Sequence, residues 1–365
     1  MADAPKLKDF IDEETVTAIA AAVERAAAGF DTDVFVASVF DEGWDSRALK
    51  ERIRHVARML HTHLGGDFAD GLAALESAAS GGGIDGWAAW CFNDYVEEHG
   101  VDDPDRSLPA LAQFTRLSSA EFAVRPFIAR YPERMAKQML EWAHDDDETV
   151  RRLATEGYRP RLPWGAGIAE LKKDPSPILA VLDVLHGDPS ETVRRSVANN
   201  LNDISKDHPD LAVATLAGWG ADSDEASALR KHALRTLLKK GDPAALELLG
   251  FAKHAAVVVT DVLVEPETVA IGGHVYVEFR IASTGDEPQP VMIDYAVVYQ
   301  NRSGTGSRKV FRGKVEELDG GASLTFRRKV SLQPMSTREI FPGRHTVEVQ
   351  VNGVVYATAA FEVGH

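Results

Sequence analysis

Two hydrophobic rhythms divide the chain near residue 254. Upstream of it, apolar residues recur three and four positions apart, as in Leu140, Ala143 and then Val150, Leu153, Ala154. That spacing predicts amphipathic helices with one buried face. Downstream, the pattern alternates and turns β-branched, in VVVTDVLV, HVYVEFRIA, IDYAVVYQ, SLTFRRKVSL and HTVEVQVNGVVYATAAFEV. Turn-forming clusters (EPETVAIGG, TGDEPQP, SGTGS, LDGG, PMSTREIFPG) separate these runs. About seven strands in about 110 residues is the rhythm of an immunoglobulin-like β-sandwich. The expected division is a helical domain over 1–254 and a sandwich over 255–365.

The helical part repeats. MLEWAHDDDETVRRLATE (139–156) aligns with VLDVLHGDPSETVRRSVANN (181–200), and the step from Val150 to Val193 is 43 residues. A third copy, ASALRKHALRTLLKKGD, places Leu229 another 36 residues on, and a degenerate earlier copy, EFAVRPFIARYPERM, places Val124 26 residues before Val150. Helix pairs stepping by about 40 residues predict a HEAT-like superhelix. Asp and Ser in the acidic turns are expected to cap the second helix of each pair, with Glu148 and Glu191 near its positive end.

Charge changes the picture by its distribution. The net charge is −16, which at face value argues against a nucleic-acid partner. Yet residues 1–111 carry 9 basic against 22 acidic side chains, while residues 112–245 carry 19 against 20. The middle of the chain is therefore neutral on average, with its cations clustered. Arg151–Arg152, Arg194–Arg195 and Arg230–Lys231 fall at one place in three successive repeats, spacing that suits phosphates. The alternative is a set of solvated helix faces. Between repeats, GYRPRLPWG (157–165) sets Trp164 in a Pro-interrupted loop with Arg159 and Arg161, an arrangement for stacking on a base. Glu156 and Asp203 lie near helix C-termini, where the helix dipole disfavours acids, and Glu121 precedes FAVRPF in the repeat before.

Other chemistry is thin. The single cysteine, Cys91, rules out an internal disulfide and any Cys-based zinc site, and it lies in an aromatic-rich helical pattern as a buried, inert thiol. There is no HxxxH or HExxH spacing, no nucleophile elbow and no dinucleotide fingerprint, and Gly81–Gly83 lacks the context of a phosphate loop. The start, MADAPKLKDFIDEE, has no signal-peptide core, so a cytoplasmic, nucleoid-associated protein without a membrane partner is expected.

The segments SSAEFAVRPFI (118–128), ETVRRLATEGYRPRLPWG (148–165), ETVRRSVANNLNDISKDHP (191–209) and FPGRHTVEVQVNG (341–353) resemble the AlkC-type members of the AlkC/AlkD group of alkylpurine DNA glycosylases. The resemblance spans essentially the whole chain. It implies a HEAT-like fold, in some members with a C-terminal Ig-like domain. It also implies a metal-independent, cofactor-free, monofunctional activity on N3-alkylated bases such as 3-methyladenine and 3-methylcytosine. On the matching positions the site would fall on Glu121, Glu156, Trp164 and Asp203. An N3-alkylated base is already a cationic leaving group, so the enzyme needs no general acid. A carboxylate is needed for the oxocarbenium-like sugar and for water, and Asp203 is the expected principal with Glu156 assisting.

Double-stranded DNA carrying alkylated bases is the expected partner of a monomer, held by Arg152, Arg159, Arg161 and Arg195. The loop within AVVYQNRSGTGSRKVFRGK (296–314) would add Arg302, Arg308 and Lys309 from the sandwich. The competing reading is a non-catalytic HEAT scaffold that binds DNA or protein through the same surface.

Overall fold

A computed structural model describes residues 6–302, 306–335 and 339–364. The helices are α1 (Glu13–Ala26), α2 (Thr32–Val39), α3 (Leu49–His63), α4 (Phe68–Ser80), α5 (Gly86–His99), α6 (Pro104–Phe114), α7 (Arg125–Arg130) and α8 (Pro132–Trp142). They continue as α9 (Glu148–Glu156), α10 (Ala169–Lys173), α11 (Ser176–Leu185), α12 (Glu191–Ile204), α13 (Pro209–Gly218), α14 (Asp224–Ala233), α15 (Arg235–Lys240) and α16 (Pro243–Leu248). No helix among the described residues is long and apolar enough to cross a membrane.

The chain forms two compact units. One runs to Asp207 and includes Ser223–Leu229; the other holds His208–Asp222 and everything from Arg230 onward. In the first unit the repeat is directly visible. α8 and α9 form one pair, α11 and α12 the next; α8 packs on α11 and α9 on α12. The ETVRR motif opens both α9 and α12, and Val150 and Val193 within it, like Leu153 and Val197 just after it, are fully buried. Asp147 caps α9, accepting the Thr149 amide at 2.8 Å. Ser190 stands at the cap of α12 without a side-chain bond, contrary to expectation; its own amide donates to the Asp188 carboxylate at 2.8 Å.

The first arginine of each pair is a turn staple. Arg151 donates to the carbonyls of Asp145 (3.0 Å) and Asp146 (2.8 Å) in its own turn, and bidentately to Asp188 of the next (2.6 and 3.1 Å). Arg194 does the same within its turn, to the carbonyls of Asp188 (2.6 Å) and Pro189 (2.9 Å). Arg230 donates to the carbonyls of Leu216 and Leu248. These three cations satisfy backbone oxygens, so the expected ladder of phosphate contacts loses its first rail.

The second unit carries the sandwich: β1 (Val257–Glu265), β2 (Thr268–Ala270), β3 (His274–Ser283), β4 (Gln289–Tyr299), β5 (Ser307–Leu318), β6 (Ser323–Ser331), β7 (Gly343–Val351) and β8 (Val354–Gly364). One sheet has order β1-β3-β6 and the other β2-β8-β7-β4-β5; all pairs are antiparallel except the short β2, which runs parallel to β8. Alternate residues Val275, Val277, Phe279 and Ile281 of β3 meet Val291, Ile293, Tyr295 and Val297 of β4 in the core. β4 is buried on its other face too, at Met292, Asp294 and Ala296. This unit starts earlier than the break in composition, because α13, α15 and α16 belong with it. The link is tight: a Cβ at Gly241, left-handed at φ 72°, would come within 2.9 Å of the Gly353 backbone. The Asn352 amide joins the two by donating to the Ala252 carbonyl at 2.8 Å.

Because Asp188 is nearly fully buried, deleting its partner strands a charge. Arg151→Ala is expected to lower the unfolding free energy by about 3 kcal/mol in urea denaturation. A loss below about 0.5 kcal/mol would mean that the staple is an incidental surface pair.

Candidate functional site

Three segments of the first unit converge on one surface: the start of α5, the turn 115–124 before α7, and the C-terminal end of α9 with the loop that follows it. The α5 helix is tied to the turn by the Gly86 amide on the Leu117 carbonyl (3.0 Å) and by Asn93 Nδ2 on the Ser118 carbonyl (2.8 Å). Trp87 and Trp90, three apart on α5, therefore lie beside Ser119, Glu121 and Phe122.

The carboxylates are organised by two arginines. Arg159 is buried and bridges two helices, with Nη1 on Glu156 Oε1 at 2.7 Å and Nε on Asp203 Oδ2 at 2.8 Å. Burial works against its charge, but Glu156 and Asp203 outweigh it, so Arg159 holds its proton above the usual arginine range. Lys206 takes the other oxygen of Asp203 at 2.9 Å, and Ser196 Oγ donates to Glu156 Oε2 at 2.6 Å. The Thr155 hydroxyl donates in turn to Ser196. In front of this layer, Arg152 donates to Glu121 Oε2 (3.1 Å) and to Ser119 Oγ (3.0 Å). Three acids thus meet three cations.

The loop after α9 is held by its backbone. Arg125 of α7, buried itself, donates to the carbonyls of Gly157 (3.0 Å), Arg159 (2.9 Å) and Ala166 (3.0 Å). Burial brings the pKa of its guanidinium down to about 10. Lys50 of α3 donates to the Trp164 carbonyl at 2.9 Å, and its ammonium lies 3.4 Å over the Phe122 ring. Burial lowers the Lys50 pKa. Trp164 has a left-handed backbone, φ 63°, costly for a bulky residue, and its side chain stands 66% exposed.

The result is a cleft of about 500 Å³ walled by Trp87, Trp90, Phe122 and Trp164, with Glu121 and Glu156 among its polar groups. Trp90, Phe122 and Trp164 also border a second cleft of about 930 Å³ that contains Lys50, Arg54 and Arg58. Arg54 there is engaged by Asp94 (2.7 Å) and Glu97 (2.8 Å). Among the described residues, no group of three or more His, Cys, Asp or Glu side chains is gathered as for a metal ion.

Of the residues expected from sequence, Glu121, Glu156 and Trp164 share the first cleft. Asp203 does not line it; at 1% exposure it lies behind Arg159. Arg159 corrects an expectation: it is a buried partner of two acids rather than a cation offered to phosphates, since two carboxylates from separate helices meet only with a charge between them. Arg152 faces Glu121, Arg161 pairs with Asp207 at 2.7 Å, and Arg195 is exposed. In the second unit Arg302 is exposed, Arg308 pairs with Glu348 at 2.8 Å, and Lys309 lies 5.3 Å from the Phe311 ring. The tip residues 303–305 fall outside the described residues. Trp87, Trp90, Phe122, Lys50 and Arg125 were not expected. The WAAW spacing, which sets two indoles on one helix face, was the available signal. Cys91 is buried, its thiol pushed up by burial, and stands apart from this chemistry.

Comparison with known proteins gives the lineage. Residues 118–237 match the family described as "DNA alkylation repair enzyme", and residues 258–365 match "Uncharacterised protein YhaZ, C-terminal Ig-like domain". The chain is 38% identical over 357 residues to the protein YhaZ of Bacillus subtilis (strain 168), covering 98% of this chain and 99% of that one. The alkylpurine DNA glycosylase AlkC of Pseudomonas fluorescens, solved bound to DNA containing an abasic-site analogue, matches with a TM-score of 0.93 at 36% identity, over 99% of this chain and 100% of that one. The chain therefore belongs to the AlkC-type family of DNA alkylation repair proteins, a HEAT-like helical superhelix followed by a C-terminal Ig-like β-sandwich.

Proposed function

We propose that the protein is a monofunctional DNA glycosylase that hydrolyses the N-glycosidic bond of cationic N3-alkylated bases, 3-methyladenine and 3-methylcytosine, in duplex DNA. The observation that carries this reading is the convergence of Glu121, Glu156 and the exposed Trp164 on one open cleft. A matched relative that is an alkylpurine glycosylase bound to DNA supports it. The division of labour follows the sequence: residues 1–254 hold the catalytic surface, and 255–365 form a sandwich that adds DNA contacts through Arg302, Arg308 and Lys309. The protein acts as a cytoplasmic monomer.

In the reaction the bond from C1′ to the base nitrogen breaks, and its electron pair neutralises the cationic base, which leaves unprotonated. The sugar becomes oxocarbenium-like, water attacks C1′, and the water's proton passes to a carboxylate and then to solvent. Glu156 and Glu121 border the cleft where that positive charge develops, and their field stabilises it. Asp203 acts from behind. By sharing Arg159 it leaves Glu156 only partly neutralised, so that part of the Glu156 charge is available to the cleft. This ordering reverses the sequence expectation that Asp203 leads. Trp164 stacks on the lesion or its sugar.

Single-turnover release of 3-methyladenine from methylated duplex DNA tests the order. Glu156→Gln is expected to slow release by about a hundredfold, roughly 3 kcal/mol of transition-state stabilisation. Asp203→Asn should slow it by about tenfold, through the fuller neutralisation of Glu156 by Arg159. A larger loss for Asp203→Asn would return the leading role to Asp203, and wild-type rates for both would remove the carboxylates from the mechanism.

Arg195 makes no ion pair among the described residues and is exposed. As a phosphate contact it should contribute about 0.9 to the log–log salt slope of binding to undamaged duplex, and Arg195→Ala should remove that much. An unchanged slope would make it a solvated side chain.

A further inference from the structure

We infer that Lys50 is a positioning residue for base release: its ammonium ties the Trp164 side of the catalytic cleft to the Phe122 side and holds the two at their working separation. The inference rests on the glycosylase reading and adds a residue, outside the cleft, on which the geometry of the reaction depends.

The two sides belong to different segments. Phe122 lies in the turn before α7, and Trp164 in the loop after α9. Arg125 grips that loop at the carbonyls of Gly157, Arg159 and Ala166, on either side of Trp164 but not at it. At Trp164 itself the main chain is left-handed while the indole is exposed, so burial of the side chain does not repay the cost of that conformation. The Lys50 ammonium supplies a contact there, 2.9 Å from the Trp164 carbonyl oxygen and 3.4 Å from the centre of the Phe122 ring. Phe122 is in turn stacked on Trp90, with centroids 5.5 Å apart and planes 15° from parallel, so the lysine is anchored on a fixed wall. Lys50 does not line the catalytic cleft. It reaches both groups from the larger cleft beside it, and so acts through them.

The proton on Lys50 makes the tie. A charged ammonium donates strongly to a carbonyl and is attracted to a ring face, whereas a neutral amine is a weak donor with no such attraction. The acids around it are engaged by other cations: Asp94 and Glu97 by Arg54, Glu121 by Arg152. Burial lowers the Lys50 pKa, and Arg54 adds to that effect while Glu97, Asp94 and Glu121 oppose it. The other charged or titratable groups lining its cleft are Arg47, Glu51, His55, Arg58, Arg125 and Glu170. The tie therefore holds below the Lys50 pKa and loosens as pH rises through it, earlier than for an ordinary lysine. A direct field effect would have the opposite sign. A cation near the cleft opposes positive charge in the transition state, so its removal would speed the reaction.

The test measures single-turnover release of 3-methyladenine from methylated duplex DNA by the full-length protein in saturating excess. Lys50→Met is expected to slow the saturated rate about tenfold and to change affinity for undamaged duplex by less than about twofold. Lys50→Arg, which keeps the charge and the donor, should restore most of the rate. The wild-type rate should fall as the pH rises from about 7 to about 9.5, while Lys50→Arg, whose guanidinium stays protonated, keeps its rate. In a Trp164→Ala background, Lys50→Met should cost less than about twofold more, because the group it places is already gone. A Lys50→Met protein that is as fast as wild type or faster overturns the proposal. So do additive losses with Trp164→Ala, or an alkaline fall that Lys50→Arg shares. The pH comparison decides the matter even where Lys50→Met does not fold. A wild-type protein that releases no base overturns the glycosylase reading and this role with it, whereas an active wild type with indifferent variants overturns the role alone.

Discussion

One buried guanidinium joins the two repeats that build the site. Arg159, three residues past the end of α9, turns inward and meets Glu156, the last residue of that helix, and Asp203 of α12. Taking three charged groups out of water is expensive, and only near-ideal geometry with every remaining hydrogen-bonding position filled repays it. Here Lys206 and Ser196 take the remaining oxygen of each carboxylate, with Thr155 behind Ser196. The neutral cluster fixes the spacing between α9 and α12 more firmly than apolar contact alone could, because a charged pair tolerates far less sliding than two leucines. It also fixes the carboxylate that reaches the cleft.

The loop with Trp164 obeys a different constraint. Tyr158, Leu162 and Ile168 anchor it in the core, but the stretch between them is also shaped through its carbonyl oxygens, and Arg125 supplies donors to three of them from a buried position. A backbone clamp of this kind fixes φ and ψ without covering side chains. That is how a bulky indole stays in the left-handed region and exposed at the same time. Lys50 completes the clamp from 114 residues away in sequence. The acidic first third of the chain thus contributes a cation and two indoles to a surface whose acids come from later repeats.

These contributions differ in how readable they are from sequence. Burial demands periodicity, so the strands, the helix pairs and the stacking of α9 on α12 follow from apolar spacing and the repeated ETVRR. Adjacent arginines are another matter. Neighbours on a helix point about 100° apart. Arg151 therefore staples a turn while Arg152 faces Glu121, and the sequence of the pair looks the same in either case. Trp87 and Trp90 at i and i+3 read as core, and Trp90 is indeed buried, but the face it shares borders a cleft. Arg125 was unreadable because its partners are main-chain oxygens, which every residue has. The edge of the second unit was unreadable too: α13, α15 and α16 keep the helical rhythm of the repeats while packing with the sheets.

Charge compensation sets a limit on how the site can act. With Glu121, Glu156 and Asp203 matched by Arg152, Arg159 and Lys206, the resting cluster offers little net field to attract a cation from a distance. Its influence must be short-ranged, felt by a positive charge already seated against Glu156 and Glu121. In the proposed reaction such an arrangement would bind a neutral sugar weakly and gain strength only as positive charge appears at C1′, which is the condition for lowering a barrier rather than deepening a ground state. That proposed reaction also requires the cationic base to be brought close by something other than long-range attraction. Stacking on aromatic faces is a short-range force of the right kind, and the wall of indoles stands beside the two acids that would then feel the charge.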